Sequence, residues 1–70
     1  MTEETILELV KDGAAGVAEA GRFTGLSRTR LYELMQAGAI RYFKCGARRL
    51  ILRSELQRFL AEQALRGQDQ

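Results

Sequence analysis

Apolar residues recur at helical spacing in the middle of the chain. Leu31, Leu34, Met35 and Gly38 stand at i, i+3, i+4 and i+7, which places them along one stripe of an α-helix. Ser27 precedes this stripe and is typical of an N-cap, because its hydroxyl can accept a hydrogen bond from a free N–H group of the first turn. The pattern predicts a short amphipathic helix that ends near Gly38, the residue expected to adopt the left-handed conformation after the last turn.

A second helix is predicted immediately before this one, from Val17 or slightly earlier to Thr24. Gly21 lies inside it, although glycine within a helix costs roughly 1 kcal/mol relative to alanine. Its presence indicates a close crossing with the following helix. Gly25 and Leu26 separate the two helices and predict a tight turn, in which Leu26 fills the gap between them. The order is helix, turn, helix.

The hydrophobic period changes after the second of these helices. Segment 40–44 carries β-branched and aromatic residues, segment 45–47 contains glycine, and segment 48–53, with Leu50, Ile51 and Leu52 at its centre, is a second strand candidate. These features predict two strands joined by a turn, which is a β-hairpin. Ser54, with Gln57 three residues later, predicts a capping box at the start of a last helix.

The beginning of the chain is ambiguous. Ile6, Leu7, Leu9 and Val10 form two apolar doublets that fit a helical turn or a strand equally well. The dipeptide Asp12-Gly13 predicts a turn that ends the segment. We expect the segment to pack its apolar side on the core.

Composition limits the protein to a few classes. Seventy residues with 46% apolar side chains are enough for one small domain with a single core. One cysteine and no histidine exclude an intramolecular disulfide and a zinc site of the usual Cys/His kind. Cys45 is therefore expected to be a small, half-buried hydrophobe. No glycine-rich phosphate loop or paired carboxylates are visible, so we expect neither an enzyme nor a cofactor.

Charge is distributed unevenly along the chain. Segment 21–58 holds nine basic residues against two acidic ones, a local excess of +7, whereas segment 1–20 carries a local charge of −4. A basic centre favours a polyanionic partner, although a solvated, arginine-rich surface explains the charge equally well. No apolar run reaches 18 residues and no signal-peptide pattern opens the chain, which predicts a cytoplasmic protein that does not bind a membrane.

Over about residues 14–63, the ordered motifs resemble the excisionase-type, MerR-like winged helix-turn-helix family. The resemblance is carried by Val17-Ala18-Glu19-Ala20, Gly25-Leu26-Ser27-Arg28, Leu31-Tyr32, Met35, Gly38, Ile40, Gly46, Arg48-Arg49 and Arg53-Ser54-Glu55-Leu56. It implies an α+β, mostly helical fold: a small winged helix-turn-helix with a two-stranded β-hairpin wing and a C-terminal helix. The expected segments are an apolar and acidic N-terminal segment (1–13), the DNA-binding domain (14–66) and a polar tail (67–70).

The resemblance also implies which residues contact DNA. The major-groove positions of the second helix correspond to Ser27, Arg28, Thr29, Arg30, Tyr32 and Gln36. The wing positions, which contact phosphates and the adjacent minor groove, correspond to Lys44, Arg48 and Arg49.

The residues themselves refine this set. Arg28 and Arg30 oppose the helix dipole in the first turn, which favours an anionic partner there. Tyr32 either packs under the wing or reaches a phosphate through its hydroxyl. Strand alternation sends Arg48 and Arg49 to opposite faces, and we favour Arg48 together with Lys44 as DNA contacts. For Arg49, the alternative is an ion pair with an acidic side chain; Glu33 is expected to orient a neighbouring arginine.

The expected function is sequence-specific binding of double-stranded DNA, by an excisionase-like recombination directionality factor or a small transcriptional regulator. One such module reads a short site, which favours a cooperative homo-oligomer on DNA or an integrase or recombinase as a protein partner. The alternative is a protein-interaction adaptor, whose N-terminal apolar segment recruits a recombinase, polymerase or phage packaging subunit.

Overall fold

A computed structural model describes residues 2–68. In this part of the chain, helices pack on a three-stranded antiparallel sheet with strand order β1-β3-β2. The α+β, mostly helical winged helix-turn-helix expected from the sequence is confirmed. Its elements are α1 (Glu3–Val10), β1 (Ala14–Gly16), α2 (Val17–Thr24), α3 (Arg28–Gln36), β2 (Phe43–Cys45), β3 (Arg48–Leu52) and α4 (Arg53–Gln68).

The turn between α2 and α3 forms as the local sequence predicts. The Ser27 hydroxyl accepts a hydrogen bond from the Arg30 N–H at 3.1 Å, which confirms the N-cap of α3. A Cβ atom on Gly21 would lie 3.1 Å from the Leu26 carbonyl oxygen and 3.7 Å from Leu31 Cδ1. The tight neighbour of Gly21 is therefore the turn that joins α2 to α3, whereas the side chain of α3 that the prediction of a close helix crossing concerned lies at an ordinary van der Waals distance.

The end of α3 is a Schellman motif. Gly38 has a φ of 79° and its N–H donates to the Met35 carbonyl at 3.1 Å, while the Ala39 N–H donates to the Leu34 carbonyl at 2.9 Å. These bonds satisfy carbonyl groups that would otherwise remain free at the helix end. The predicted role of Gly38 is confirmed, and the chain leaves the motif so that Ile40 enters the core.

The wing is part of a larger sheet than the sequence predicts. The β2–β3 hairpin is present, but β1 adds a third strand, with Ala15 opposite Ile51. Residues 14–16 are Ala-Ala-Gly, which lack the β-branched and aromatic side chains that predict strands. The first hairpin strand begins at Phe43 rather than at position 40, because the Arg41 N–H donates to a Glu55 carboxylate oxygen at 2.8 Å rather than to a neighbouring strand.

The core lies between the helix-turn-helix, the sheet and the first half of α4. It includes the predicted stripe of α3, and Leu31, Ile40, Ile51 and Leu56 are its largest fully buried side chains. The complete set of buried residues is Ala15, Ala20, Leu31, Leu34, Met35, Ile40, Ile51, Leu56 and Phe59.

The expectation that the N-terminal segment packs its apolar side on the core is wrong. The segment is a helix, α1, but none of its residues is buried, and Ile6, Leu7, Leu9 and Val10 are 37–58% exposed. The core is already closed by the sheet and α4, and the main contacts of α1 are with α4. One hydrogen bond, from the Ser54 hydroxyl to the Leu9 carbonyl at 2.9 Å, joins the two helices.

Three smaller predictions also need correction. Ser54 lies within the first turn of α4, which begins at Arg53, so its hydroxyl bonds to α1 instead of capping α4. Cys45 is exposed rather than half-buried, because β2 is an edge strand. Helix α4 continues through Gly67, its predicted end, to Gln68; positions 69–70 of the predicted polar tail lie outside the described residues.

Candidate nucleic-acid interface

Helix α3 presents a polar face opposite its buried stripe. All six residues expected to face the major groove are exposed on this helix or at its N-cap: Ser27, Arg28, Thr29, Arg30, Tyr32 and Gln36. The structure therefore places the residues that were predicted to contact the major groove together on one accessible surface.

Few of the positive charges on this face of α3 are paired with an acidic side chain. Arg30 Nη1 lies 3.9 Å from Glu33 Oε1, and both side chains are more than half exposed. This confirms that Glu33 lies beside an arginine, although an exposed pair of this kind contributes little to stability. Among the described residues, Arg28 forms no salt bridge at all.

The register of the wing decides which basic side chains share a face. Lys44 lies opposite Arg49, and Cys45 lies opposite Arg48. Directly opposed residues project to the same side of a sheet, so Lys44 and Arg49 share one side while Arg48 projects to the other. Arg48 and Arg49 lie on opposite faces, as predicted, but Lys44 is grouped with Arg49, not with Arg48.

Arg49 joins the wing to α3. Its guanidinium carbon lies 5.1 Å from the centroid of the Tyr32 ring and 5.1 Å from that of the Tyr42 ring. Both distances are within the range of a cation–π interaction. Of the two roles expected for Tyr32, packing against the wing is confirmed. The acidic partner considered for Arg49 is replaced by two aromatic rings.

Tyr42 is a residue that sequence reasoning missed. It precedes β2, whereas Tyr32 belongs to α3 and Arg49 to β3. No spacing along the chain relates three residues on three different elements. The only available signal was composition: these are the two tyrosines of the protein.

A cleft with a volume of about 500 Å³ separates the wing from the beginnings of α2 and α3. Four arginines line it, namely Arg22, Arg28, Arg48 and Arg49. Its one carboxylate, Glu19, is bonded to Arg53. We call this cleft the arginine cleft. Arg28 and Tyr32 belong both to the arginine cleft and to the polar face of α3, the predicted recognition helix, so the cleft and that face form one continuous surface.

Two basic residues of the central segment have structural partners instead. Arg53 pairs with Glu19, and Arg58 bridges Glu55 and Glu62 at 2.7 Å each while donating to the Ala39 carbonyl at 2.9 Å. The hydrogen bonds from Arg58 lower the pKa of Glu55, assisted by the Arg41 N–H and opposed by partial burial. Together these contacts hold the loop that follows α3 against α4.

Other kinds of site are not indicated in the described part of the chain. Within residues 2–68, no three or more His, Cys, Asp or Glu side chains are grouped so that they could hold a metal ion. No helix in this range combines the length and hydrophobicity needed to cross a membrane.

Comparison with known proteins agrees with this geometry. The family described as "Helix-turn-helix domain" matches residues 16–64, which extend from the end of β1 into α4. No curated protein and no solved structure matches the chain. The matched segment covers well over half of the 70 residues and contains α2, α3 and the complete wing. The chain therefore belongs to the helix-turn-helix domain family and is a DNA-binding module.

Proposed function

We propose that this module binds double-stranded DNA sequence-specifically, with α3 in the major groove and the wing on the backbone and adjacent minor groove. The observation that carries the proposal is the continuity of the polar α3 face with the arginine cleft, through Arg28 and Tyr32. A protein that binds a specific DNA site contacts base edges and backbone phosphates at the same time. The surface that contacts bases, here the polar face of α3, must therefore adjoin a surface that contacts phosphates, here the arginine cleft.

The chemistry of the α3 face suits the major groove. Arginine donates two parallel hydrogen bonds to guanine O6 and N7, and glutamine can pair with adenine N6 and N7. Arg28 and Arg30 at the start of α3 and Gln36 at its end supply these groups. Thr29 adds a hydroxyl and a methyl group, which can contact a base edge or the methyl group of thymine.

Within this function, we assign the protein the role of an excisionase-like recombination directionality factor or a small transcriptional regulator in the cytoplasm. The resemblance of its ordered motifs to excisionase-type, MerR-like proteins supports this role. A single α3 covers only a few base pairs, so useful affinity requires several protomers on repeated sites or a partner such as an integrase.

A second candidate function is favoured by α1. Its four large apolar side chains are exposed and none of its residues is buried, a pattern that fits an adaptor that recruits a recombinase, polymerase or packaging subunit. Leu7→Lys should abolish binding to such a purified subunit and leave DNA affinity unchanged. Equal binding of the subunit by the variant and the wild type would exclude α1 as its docking element.

Fluorescence anisotropy tests the DNA proposal. The protein is titrated into labelled duplex from its own locus and into random duplex, at several salt concentrations. Specific recognition predicts a preference for the locus DNA of ~10³-fold or more at physiological salt. Equal and steeply salt-dependent binding to both duplexes would refute specificity and leave only electrostatic attraction.

A further inference from the structure

We propose that Glu55 and Arg58, on α4, are positioning residues for DNA binding, which fix the wing relative to α3. They act through the Tyr42 ring and the Arg49 guanidinium, and neither of them lines the arginine cleft. The inference rests on the proposed function, which places α3 and the wing on DNA together, and it adds two residues that are absent from the DNA contacts predicted by the sequence.

The first argument is the anchoring of the 37–42 loop, which joins α3 to β2. The first N–H groups of the loop donate to carbonyl groups of α3. The loop then turns to α4, where the Arg41 N–H donates to Glu55 Oε2 at 2.8 Å. The Ala39 carbonyl accepts a hydrogen bond from Arg58 Nη2 at 2.9 Å. Both bonds go to backbone atoms, so they fix the path of the chain whatever side chains the loop carries.

The second argument is the rigidity of the anchor itself. Arg58 holds the Glu55 carboxylate by two hydrogen bonds, at 2.8 Å from Nε and 2.7 Å from Nη2. The Glu55 side chain is 12% exposed, against 49% for Glu62, the other carboxylate that Arg58 contacts. Paired, charge-assisted bonds that are shielded from water are stronger than exposed ones. The carboxylate is therefore held in one position, and it holds the loop in one position.

The third argument is the link from this anchor to the wing. Tyr42 directly follows Arg41, so the bond between Arg41 and Glu55 also fixes where the Tyr42 ring lies. That ring lies 5.1 Å from the guanidinium carbon of Arg49, which lies equally far from the Tyr32 ring of α3. Because Arg49 belongs to β3, a displacement of the loop is transmitted through the stacked groups to both the wing and α3.

Two separate surfaces meet at the contact between Tyr42 and Arg49. Tyr42 lines a groove of about 720 Å³ beside α4, together with Glu55 and Arg58, whereas Arg49 lines the arginine cleft. Among the described residues, none lines both the groove and the cleft. The influence of the two α4 residues on the cleft therefore passes through the stacked contact rather than through a contact in the cleft.

The substitution Glu55→Asp tests the proposal without a change of charge. It withdraws the carboxylate by about 1.5 Å, the length of one C–C bond, so the bond to the Arg41 N–H is lost. Glu62→Asp is the matched control, because it shortens by the same length a carboxylate of α4 that bonds to Arg58 instead of to the loop.

NMR of the free protein measures the stack directly, because protons above the face of an aromatic ring are shifted upfield. Tyr42→Leu gives the Arg49 δ-methylene shift that corresponds to the loss of one ring. Glu55→Asp should move this resonance toward that value, and Glu62→Asp should leave it at the wild-type position. A purely structural role of Glu55 predicts a lower thermal midpoint with an unchanged Arg49 resonance in the folded protein, and that result would overturn the proposal.

The anisotropy titration measures the consequence for DNA binding. Glu55→Asp should lower the affinity for locus duplex about fivefold, the factor that one partly exposed cation–π interaction represents. Glu62→Asp should leave the affinity unchanged. In the Tyr42→Leu background, Glu55→Asp should cause no further loss, because the ring through which Glu55 acts is absent. Equal losses with and without the Tyr42 ring would overturn this route.

Arg58→Lys is a second variant, which keeps the proposal testable if Glu55→Asp does not fold. It keeps the charge, but an ammonium group cannot pair with Glu55 through two parallel N–H groups and also reach the Ala39 carbonyl. It should shift the Arg49 resonance and weaken DNA binding as Glu55→Asp does, and an unchanged resonance would overturn the proposal. Equal affinity of the wild type for locus and random duplex would refute only the proposed function, because the Arg49 resonance is measured without DNA.

Discussion

The contact between Arg49 and the two tyrosine rings should set the angle between the wing and α3. Arg49→Lys tests this contact because it keeps the positive charge and removes the planar guanidinium that stacks on the rings. If Arg49 acts only as a charge near a phosphate, lysine replaces it without loss. If it positions the wing, lysine weakens DNA binding although the net charge is the same.

The expected magnitude follows from the geometry. Arg49 contacts two rings, each at 5.1 Å, and both tyrosines are 39% exposed. A partly exposed cation–π interaction is worth about 0.5–1 kcal/mol, so the two together contribute about 1–2 kcal/mol. Without these contacts the wing is no longer held against α3, and DNA binding must supply the about 1–2 kcal/mol needed to fix its position. The affinity for locus duplex should therefore fall by roughly fivefold to thirtyfold.

A double-mutant cycle in the anisotropy assay gives the decisive measurement. Tyr42→Leu removes one ring at a position outside the proposed DNA contacts, and Arg66→Gln serves as the charge control. The positioning role predicts that Arg49→Lys and Tyr42→Leu are non-additive on locus duplex, with a coupling free energy above about 0.5 kcal/mol. Additive effects within that limit, or wild-type affinity for Arg49→Lys, would refute the reasoning.

Three further predictions concern recognition, packing and pH. Arg28→Ala should weaken binding to locus duplex by ~1–3 kcal/mol more than binding to random duplex if it contacts a base edge; an equal loss on both would make it a phosphate contact. Gly21→Ala places a Cβ atom 3.1 Å from the Leu26 carbonyl oxygen, which costs about 1–3 kcal/mol, and gains roughly 1 kcal/mol of helix propensity. The net result should be a loss of stability of up to about 2 kcal/mol in urea denaturation, and a more stable variant would mean that the turn yields without cost. The pKa of Glu55 in the folded protein is lowered from its ordinary value of 4.5, chiefly by the hydrogen bonds from Arg58. The ionised Glu55 carboxylate therefore stabilises the fold above pH 4.5, and this stabilisation is lost as the pH falls through the lower pKa of the folded state. Glu55→Gln should therefore be less stable than the wild type at pH 7, and the difference should shrink as the pH falls below about 4.5. A stability difference independent of pH would exclude this origin.

Helix α3 could be predicted from the sequence almost completely. Its start depends on the Ser27 hydroxyl and the Arg30 N–H, three residues apart, and its end depends on Gly38 and carbonyl groups within five residues. Its buried face follows from the spacing of three apolar residues. These are local interactions, so the residues that make them are visible in any short window of the chain.

The third strand of the sheet and the exposed position of α1 were decided by tertiary structure. Strand β1 contains two alanines and a glycine, whose intrinsic preference for a strand is weak, and it exists because β3 offers an unpaired edge. The four apolar residues of α1 predicted a buried face, but burial requires space in the core, and the sheet and α4 already close it.

The arginines show the same division most clearly at the candidate site. Their number in the central segment and the polarity of α3 are properties of the sequence, and they predicted an anionic partner. Which arginine is paired, stacked or free depends on side chains distant along the chain: Glu19 lies 34 residues from Arg53, and Tyr32 and Arg49 belong to different elements. Charge and periodicity are thus determined by the sequence alone, whereas the contacts that assign each charge a role arise only when the fold brings separate elements together.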